Sequence, residues 1–404
     1  MIKSILLRRN EAHTNITINS GGQNAMGANA QGEWLLFTHP VDVVSTSDAT
    51  KIVDLLNDIE SRVEELKLYA AGFISYEASS AFDSALTAVK KSDLPLFCFG
   101  LFESVQVFDN PPSIQGDFET NNWRQSGSCD HYLEQLAKIK KRIHAGDTYQ
   151  VNYTFQRSAD YTGDPLALFH RFAKDAPYAA YIESEDFAIC SASPELFFNK
   201  TGSLITTKPM KGTVRRGLSQ ADDEQRQNEL ASSEKDRAEN IMIVDMIRND
   251  LSRVAKTGSV KVTKPLQLEK YPTLWQMTST VTAQTSSSCS EIISALFPCA
   301  SITGAPKVAT MKIIDELETQ ARGIYTGSIG YLAPGGLAQF SVAIRTAVLH
   351  LDSKQLDYGV GSGIVWDSDP LSEYEECLLK SRAVDNVTET QAFELLETLL
   401  WQKD

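Results

Sequence analysis

The chain has 404 residues with 38 basic and 52 acidic side chains, which gives a formal net charge of -14. Because nucleic-acid binding depends on Lys and Arg side chains that neutralise phosphates, this acidic balance argues against a nucleic-acid partner. The 42% hydrophobic content is enough for a large core, divided among roughly two or three domains or forming one large, two-lobed domain.

The six cysteines are widely spaced and lack the spacing of a zinc site. The first ten residues contain too short an apolar run for a signal peptide, and no run is long enough to span a bilayer. These features predict a cytoplasmic protein with reduced thiols and no membrane partner.

The N-terminal part of the chain, residues 1–110, mixes short apolar runs with one helical pattern at 49–66. This mixture predicts strands packed with a helix. The segment 111–128 is polar and rich in turn-forming residues, so we predict a surface linker there. We expect residues 129–390 to form the principal region of the fold and residues 391–404 to form a C-terminal tail.

Helical and strand-like patterns alternate within the principal region. Helices are predicted at 130–145, from either Ser219 or Ser233 to residue 255, and at 290–297, 306–317 and 371–383. Strand-like runs begin at 149 and recur at 179–182, 188–191, 196–198, 204–207, 326–332, 340–350 and 355–358. This alternation predicts a mixed α+β fold with sheets in the interior and helices outside.

A basic run at residues 207–217 (TKPMKGTVRRG) is unusual in an acidic chain. It places Lys208, Lys211, Arg215 and Arg216 around a proline and two glycines, directly after a predicted strand. A lysine amine becomes nucleophilic when nearby cations or burial favour its neutral form, and Lys211 lies between other cations in the sequence. The alternative is an ordinary basic surface turn.

Two acidic pairs occur at helical spacing, Asp236 with Glu239 and Glu373 with Glu376. A spacing of three places both carboxylates of a pair on one helix face. If the two helices face each other, four carboxylates converge, and their repulsion is relieved by a divalent cation such as Mg²⁺. The alternative for each pair is a solvated helix face.

Several other residues are candidates for binding a small anion or transferring a proton. Residues 297–307 lead into a predicted helix start that can face an anion, and residues 359–363 (GVGSG) resemble a glycine-rich turn whose N–H groups can hold a carboxylate. Arg345 lies in a predicted apolar strand, and Glu195 follows another strand. Tight turns and structural ion pairs are the alternatives. The six histidines form no cluster typical of a metal site or a Ser-His-Asp triad.

Taken together, these segments resemble the chorismate-utilising enzymes, which include the aminodeoxychorismate, anthranilate, isochorismate and salicylate synthases. The runs that carry the resemblance occur in family order over about residues 130–385. They are GDTYQVN (146–152), SPE (193–195), PMKGT (209–213), DRAENIMIVD (236–245) with RND (248–250), SITGAPK (301–307), GSIGY (327–331), IRT (344–346) and GSGIV (361–365). The resemblance implies a two-lobed fold like that of anthranilate synthase and makes residues 129–390 a chorismate-binding catalytic region.

Two positions distinguish the reactions within this family. Anthranilate synthases have Ala where this chain has Lys211, and the water-using members have a Lys where this chain has Gln150. The combination of Lys211 and Gln150 implies that ammonia adds at C4 of chorismate. The product is then 4-amino-4-deoxychorismate, on the way to p-aminobenzoate and folate. Anthranilate synthase component I activity and a catalytically silent chorismate-binding regulatory subunit remain alternatives.

The resemblance also implies residue roles. Lys211 attacks C2 of the ring, and Glu195 protonates the leaving hydroxyl. Mg²⁺ is held directly by Glu239 and Glu376, and through water by Asp236 and Glu373. The positions that match substrate-binding residues are Arg345, Tyr325, Ser301, Thr213, Gly359, Gly361 and Gly363.

The chain departs from the family at Gln276, where many relatives have His. This departure argues against an active-site imidazole. The sequence also contains no recognisable glutaminase segment, so we expect ammonia to come from a separate glutamine amidotransferase subunit.

Overall fold

The computed structural model describes residues 1–9, 32–112, 116–271 and 274–385. Its strands are β1 (Ile2–Arg9), β2 (Glu33–Thr38), β3 (Asp42–Thr46), β4 (Tyr69–Ile74), β5 (Phe97–Phe102), β6 (Gln106–Phe108), β7 (Phe118–Gln125), β8 (Gln150–Gly163), β9 (Tyr178–Ser184), β10 (Phe187–Ser193), β11 (Leu196–Thr201), β12 (Leu204–Lys208), β13 (Met210–Arg215), β14 (Lys261–Lys270), β15 (Leu274–Gln284), β16 (Gly304–Ala305), β17 (Ser328–Ala333), β18 (Leu337–Val342), β19 (Thr346–His350) and β20 (Gln355–Ile364). The α-helices are α1 (Ile52–Leu66), α2 (Ser79–Phe82), α3 (Cys129–His144), α4 (Pro165–Phe172), α5 (Gln220–Ser232), α6 (Glu234–Ser252), α7 (Cys289–Leu296), α8 (Lys307–Leu317) and α9 (Pro370–Asp385).

The strands of the described residues form two ten-stranded antiparallel sheets. The first sheet has the order β16-β8-β20-β19-β10-β9-β1-β2-β6, with β7 paired to β8. The second sheet has the order β13-β15-β12-β11-β18-β17-β4-β5-β3, with β14 paired to β15. Both sheets therefore combine strands from the N-terminal 110 residues with strands from the region beyond them.

The two sheets pack face to face through apolar side chains such as Ile5 and Phe37 of the first sheet and Phe73 and Phe102 of the second. Helices α3, α4, α8 and α9 cover the outer face of the first sheet, and α1, α6 and α7 cover the outer face of the second. Burying one face of each helix and both faces of each sheet explains this order of layers. The predicted α+β fold, with sheets inside and helices outside, is confirmed.

Two of the points at which the chain passes from one sheet to the other are neighbours. It leaves β10 and enters β11 near Glu195, and it leaves β18 and enters β19 near Arg345. The two crossings are hydrogen-bonded side by side, since Val342 N donates to Glu195 O at 3.1 Å and Ala192 N donates to Arg345 O at 2.9 Å. Both functional candidates therefore lie between the sheets.

The single strand predicted at 340–350 is wrong, because these residues contribute to two strands in different sheets. Arg345 lies in the bend between them and has a φ of 51°. A positive φ is uncommon for a residue other than glycine and is incompatible with a continuous strand. The apolar pattern on both sides of the bend is the same, so the sequence does not indicate where the strand ends.

Two other local predictions differ from the structure. Residues 359–363, expected to form a glycine-rich turn, lie within strand β20, where they pair with β8. Residues 118–125, within the expected linker, form strand β7. Its side chains are mostly exposed or half-buried, so this strand lacks the apolar alternation by which strands are recognised.

No helix in the described ranges is long and apolar enough to cross a membrane. All six cysteines are free thiols. The C-terminal tail expected at 391–404 lies outside the described residues.

Candidate active site

Lys211 of the second sheet meets the glycine-rich strand β20 of the first sheet. A β-carbon built at Gly363 would lie 3.2 Å from Lys211 Nζ and would clash with Gln150 Nε2. Gln150 is fully buried, and neither atom of its amide has a hydrogen-bond partner among the described residues. Only a glycine at 363 leaves room for the amine and the amide, which together define the centre of the site.

A β-bulge directs Lys211 toward this centre. Met210 pairs with Thr278 and Thr213 pairs with Gln276, so Lys211 and Gly212 of β13 lie opposite a single residue of β15. Such a bulge bends the strand and changes the direction of its side chains. Gly212 has a φ of 83°, a conformation that disfavours any residue with a β-carbon.

Three carboxylates lie close enough to Lys211 to feel its charge. Glu195, Glu239 and Glu376 each lie within electrostatic range of its amine, and the amine favours their ionised forms. The site is therefore a cation set among acids rather than a cluster of cations.

Two of the basic side chains expected around Lys211 are paired with acids. Lys208 forms an ion pair with Glu269 at 2.6 Å, and Arg216 forms one with Asp223 at 2.6 Å. Residues close in sequence diverge here because side chains along a strand alternate between faces and the bulge interrupts that alternation.

Glu195 is placed to act as an acid. Its side chain is only 2% exposed, and burial raises its pKa to about 7, although a hydrogen bond from Ser301 and the charge of Lys211 oppose the rise. Ser301 Oγ donates to Glu195 Oε1 at 2.6 Å. Near neutral pH this carboxyl therefore carries a proton in a substantial fraction of the molecules, and it can transfer that proton.

The acidic pairs of α6 and α9 lie close enough to affect each other's charge. Burial raises the pKa of Glu239, and the neighbouring Asp236 and Glu373 add to the rise while Lys211 and Lys235 oppose it. Glu239 of α6 and Glu373 of α9 are therefore close enough to repel each other.

These carboxylates do not converge on one point. Glu376 is bound to Lys380 at 2.7 Å, and although burial opposes it, the charges of Lys380, Lys211 and Lys235 hold the pKa of Glu376 below its ordinary value. Glu373 accepts a hydrogen bond from Ser368 Oγ at 2.7 Å. In the part of the chain that the structure describes, no group of three or more His, Cys, Asp or Glu side chains is close enough to hold a metal ion.

Three predicted substrate residues lie beside this centre. Tyr325 is buried, and a β-carbon at Gly359 would overlap its ring. Tyr325 and Gly359 also form part of the wall of a cleft of about 570 Å³, which Lys211, Gln150 and Glu195 do not line. Arg345 is half-buried and forms no ion pair with any described residue, which leaves its guanidinium available for a carboxylate.

The two remaining predicted substrate residues contact the protein itself. Thr213 Oγ1 donates to Gln276 Oε1 at 2.8 Å. Gly361 packs against Tyr153 and Thr154 of strand β8, and its carbonyl oxygen accepts a hydrogen bond from Lys380 at 3.0 Å.

Sequence analysis missed Arg322, a fully buried cation that supports the site. It forms an ion pair with Glu318 at 2.7 Å and donates to the carbonyl oxygens of Asn152 at 2.7 Å and Ile302 at 3.0 Å. These bonds fix the strand that begins at Gln150 and the loop that carries Ser301. The spacing of four between Glu318 and Arg322 was the available signal, but it is equally common on exposed helices.

Comparison with known proteins identifies the family. Residues 110–386 match the family model described as chorismate binding enzyme. The chain belongs to the chorismate-binding enzyme family. Aminodeoxychorismate synthase component 1 of Escherichia coli (strain K12) is 43% identical over 269 residues, 65% of this chain and 59% of that protein. The protein of the same name from Bacillus subtilis (strain 168) is 41% identical over 311 residues, 76% of this chain and 65% of that protein.

A solved structure supports the fold of this chorismate-binding chain. The crystal structure of anthranilate synthase component I from Streptococcus pneumoniae TIGR4 superposes with a TM-score of 0.79, covering 92% of this chain and 96% of that one at 23% identity. The expected two-lobed fold like that of anthranilate synthase is therefore confirmed. At this identity the similarity concerns the fold alone.

Proposed function

We propose that this chain is the chorismate-converting component of an aminodeoxychorismate synthase and forms 4-amino-4-deoxychorismate from chorismate and ammonia. The observation that carries the proposal is the position of the Lys211 amine, directed at Gly363 and within electrostatic range of Glu195. The relatives named aminodeoxychorismate synthase component 1 support it. In this role the product is a precursor of p-aminobenzoate and folate.

The reaction proceeds in two covalent steps. In the first, neutral Lys211 Nζ forms a bond to C2 of the ring, the double bonds shift, and the bond from C4 to its hydroxyl breaks. Glu195 supplies the proton with which the hydroxyl leaves as water, and the proton that Lys211 loses on becoming a secondary amine returns to the Glu195 carboxylate. Dividing one difficult displacement into two easier ones is the advantage of a nucleophilic side chain.

In the second step ammonia forms a bond to C4, the double bonds shift back, and the bond from C2 to Lys211 breaks. Lys211 returns as a primary amine, and the net change is the replacement of the C4 hydroxyl by an amino group with release of water. The buried Gln150, whose amide has no described partner, is available to hold the incoming nitrogen. A separate glutamine amidotransferase supplies the ammonia.

Two further groups hold the substrate. The guanidinium of Arg345 and the hydroxyl of Tyr325 bind the side-chain carboxylate, since a guanidinium fits a carboxylate with two parallel hydrogen bonds. Gly361 and Gly363, which have no side chains, line the ring and its carboxylate.

The acidic residues fit Mg²⁺ in their chemistry, because magnesium prefers oxygen ligands and the mutual repulsion around Glu239 favours a cation. Glu239 and Glu376 would hold the ion directly, and Asp236 and Glu373 through water, once Glu376 exchanges its partner Lys380 for the ion. When bound, the ion supplies positive charge for the ring carboxylate of chorismate.

Product identity tests the proposed function. The protein is incubated with chorismate, Mg²⁺ and ammonium, and the products are separated and compared with 4-amino-4-deoxychorismate, which a lyase converts to p-aminobenzoate, and with fluorescent anthranilate. We expect the first product from the wild type and at least a hundredfold slower turnover from Lys211→Ala. Anthranilate as the main product would indicate an anthranilate synthase, and no turnover with full chorismate binding would indicate a silent subunit.

A further inference from the structure

Gln276 forms hydrogen bonds with Gly212 and Thr213, the two residues that follow Lys211. Its Nε2 donates to Gly212 O at 2.7 Å, and its Oε1 accepts from Thr213 Oγ1 at 2.8 Å. The side chain is only 4% exposed. Both the donor and the acceptor of this buried amide therefore bond to the segment that carries Lys211.

This segment needs such support because the regular pairing of β13 with β15 is interrupted there. Lys211 and Gly212 lie opposite Met277 alone, between the pairs Met210–Thr278 and Thr213–Gln276. Gly212 is also the residue with the greatest conformational freedom in the segment. Without a side-chain partner for its carbonyl oxygen, the bulge has fewer bonds to fix its direction.

On its opposite side the bulge packs against α6. A β-carbon at Gly212 would lie 3.0 Å from Asp236 Oδ1, so the helix limits movement of the segment toward it. Movement away from the helix is limited by the two bonds to Gln276. The amide therefore limits the position of the Lys211 main chain on the side away from α6.

We propose that Gln276 is a positioning residue that holds the Lys211 amine in line with the substrate ring. This inference rests on the proposed function. Displacement of a reacting group by about 1 Å costs up to about a hundredfold in rate even when binding is unchanged. The hydrogen bonds of the Gln276 amide go to Gly212 and Thr213 rather than to the amine, so we expect its effect to fall on the chemical step through Lys211.

The experiment compares Gln276→Leu with Gln339→Leu. Gln339 is a matched control, since it is 5% exposed in β18 and donates one hydrogen bond to Arg8 O at 3.1 Å, away from the site. For Gln276→Leu we expect kcat to fall about 10- to 100-fold with KM within about threefold of wild type. Formation of the covalent Lys211 adduct, followed by intact-protein mass after rapid quenching without ammonia, slows by the same factor. Gln339→Leu keeps the wild-type rates.

A second variant tests the inference if Gln276→Leu folds poorly. Thr213→Val removes one of the two bonds at an exposed position, and we expect a smaller fall in kcat, about three- to tenfold, with an unchanged KM. An unchanged kcat in both site variants, or an equal loss in Gln339→Leu, would overturn the positioning role alone. A wild-type protein that forms neither adduct nor product would overturn the proposed function and this inference together.

Discussion

Replacing Glu195 with Gln is expected to stabilise the folded protein at neutral pH while it slows turnover. Burial raises the pKa of Glu195 from its ordinary value of 4.5 to about 7. The folded chain therefore binds this proton more tightly than the unfolded chain. The contribution of the group to stability is complete below pH 4.5 and is lost as the pH rises through 7.

The size of the effect follows from the gap between the two pKa values. The difference between 4.5 and about 7 corresponds to about 3 kcal/mol of unfolding free energy above pH 7. Gln is close in shape to the protonated acid and never ionises, so it avoids this cost. We expect Glu195→Gln and the wild type to be about equally stable at pH 4.5 and to differ by about 3 kcal/mol at pH 8.

Urea denaturation at a series of pH values between 4.5 and 8 measures this difference. Other titrating groups are common to both proteins and cancel in the comparison. In the same samples, loss of the general acid is expected to lower kcat about 10²- to 10⁴-fold, and wild-type turnover is expected to fall as the pH rises through about 7. A stability difference that does not change with pH, or a Gln variant less stable than wild type at pH 8, would refute the buried-acid account of Glu195.

Three further predictions concern the surroundings of the site. Arg322→Met leaves the buried Glu318 carboxylate without its partner, and we expect urea denaturation to measure a loss of about 3–5 kcal/mol, reduced in the double variant Arg322→Met/Glu318→Leu. Gly363→Ala places a β-carbon against Gln150 and Lys211, so we expect a loss of about 1–3 kcal/mol in stability and at least a tenfold lower kcat; wild-type kinetics would contradict this packing. Removal of divalent cations with EDTA is expected to lower turnover at least about tenfold, with recovery on addition of Mg²⁺; EDTA-resistant turnover would contradict the proposed magnesium site.

The features that local sequence controls were predictable. Ser219 and Ser233 were alternative starts for one helix, and the structure uses both, as N-caps of α5 and α6. Ser233 accepts a hydrogen bond from Asp236 N, which fixes the first turn of the helix that carries the first acidic pair. Helix capping and helical spacing depend on residues a few positions apart, so both can be predicted from the sequence without knowledge of the fold.

The features that depend on distant contacts were not predictable from local pattern. The glycines at 359, 361 and 363 suit a turn, but they lie in a strand. Gly359 and Gly363 are needed there because the side chains of Tyr325 and Gln150 occupy the space that a β-carbon would fill. The partners of Arg322 include the carbonyl oxygen of Asn152, which is 170 residues away in the sequence. They also include the carbonyl oxygen of Ile302, which is 20 residues away. The crossing at Arg345 depends on an unusual backbone conformation, which residue type does not reveal.

The central claim is that the Lys211 amine forms a transient bond to the chorismate ring. The most direct measurement is the mass of the intact protein, quenched during turnover with chorismate and Mg²⁺ and without ammonia, followed by peptide mapping. We expect an added mass equal to chorismate less one water, located on Lys211, which disappears when ammonium is supplied and is absent from Lys211→Ala. Full turnover with no adduct under any quench condition, or an adduct on another residue, would contradict the claim.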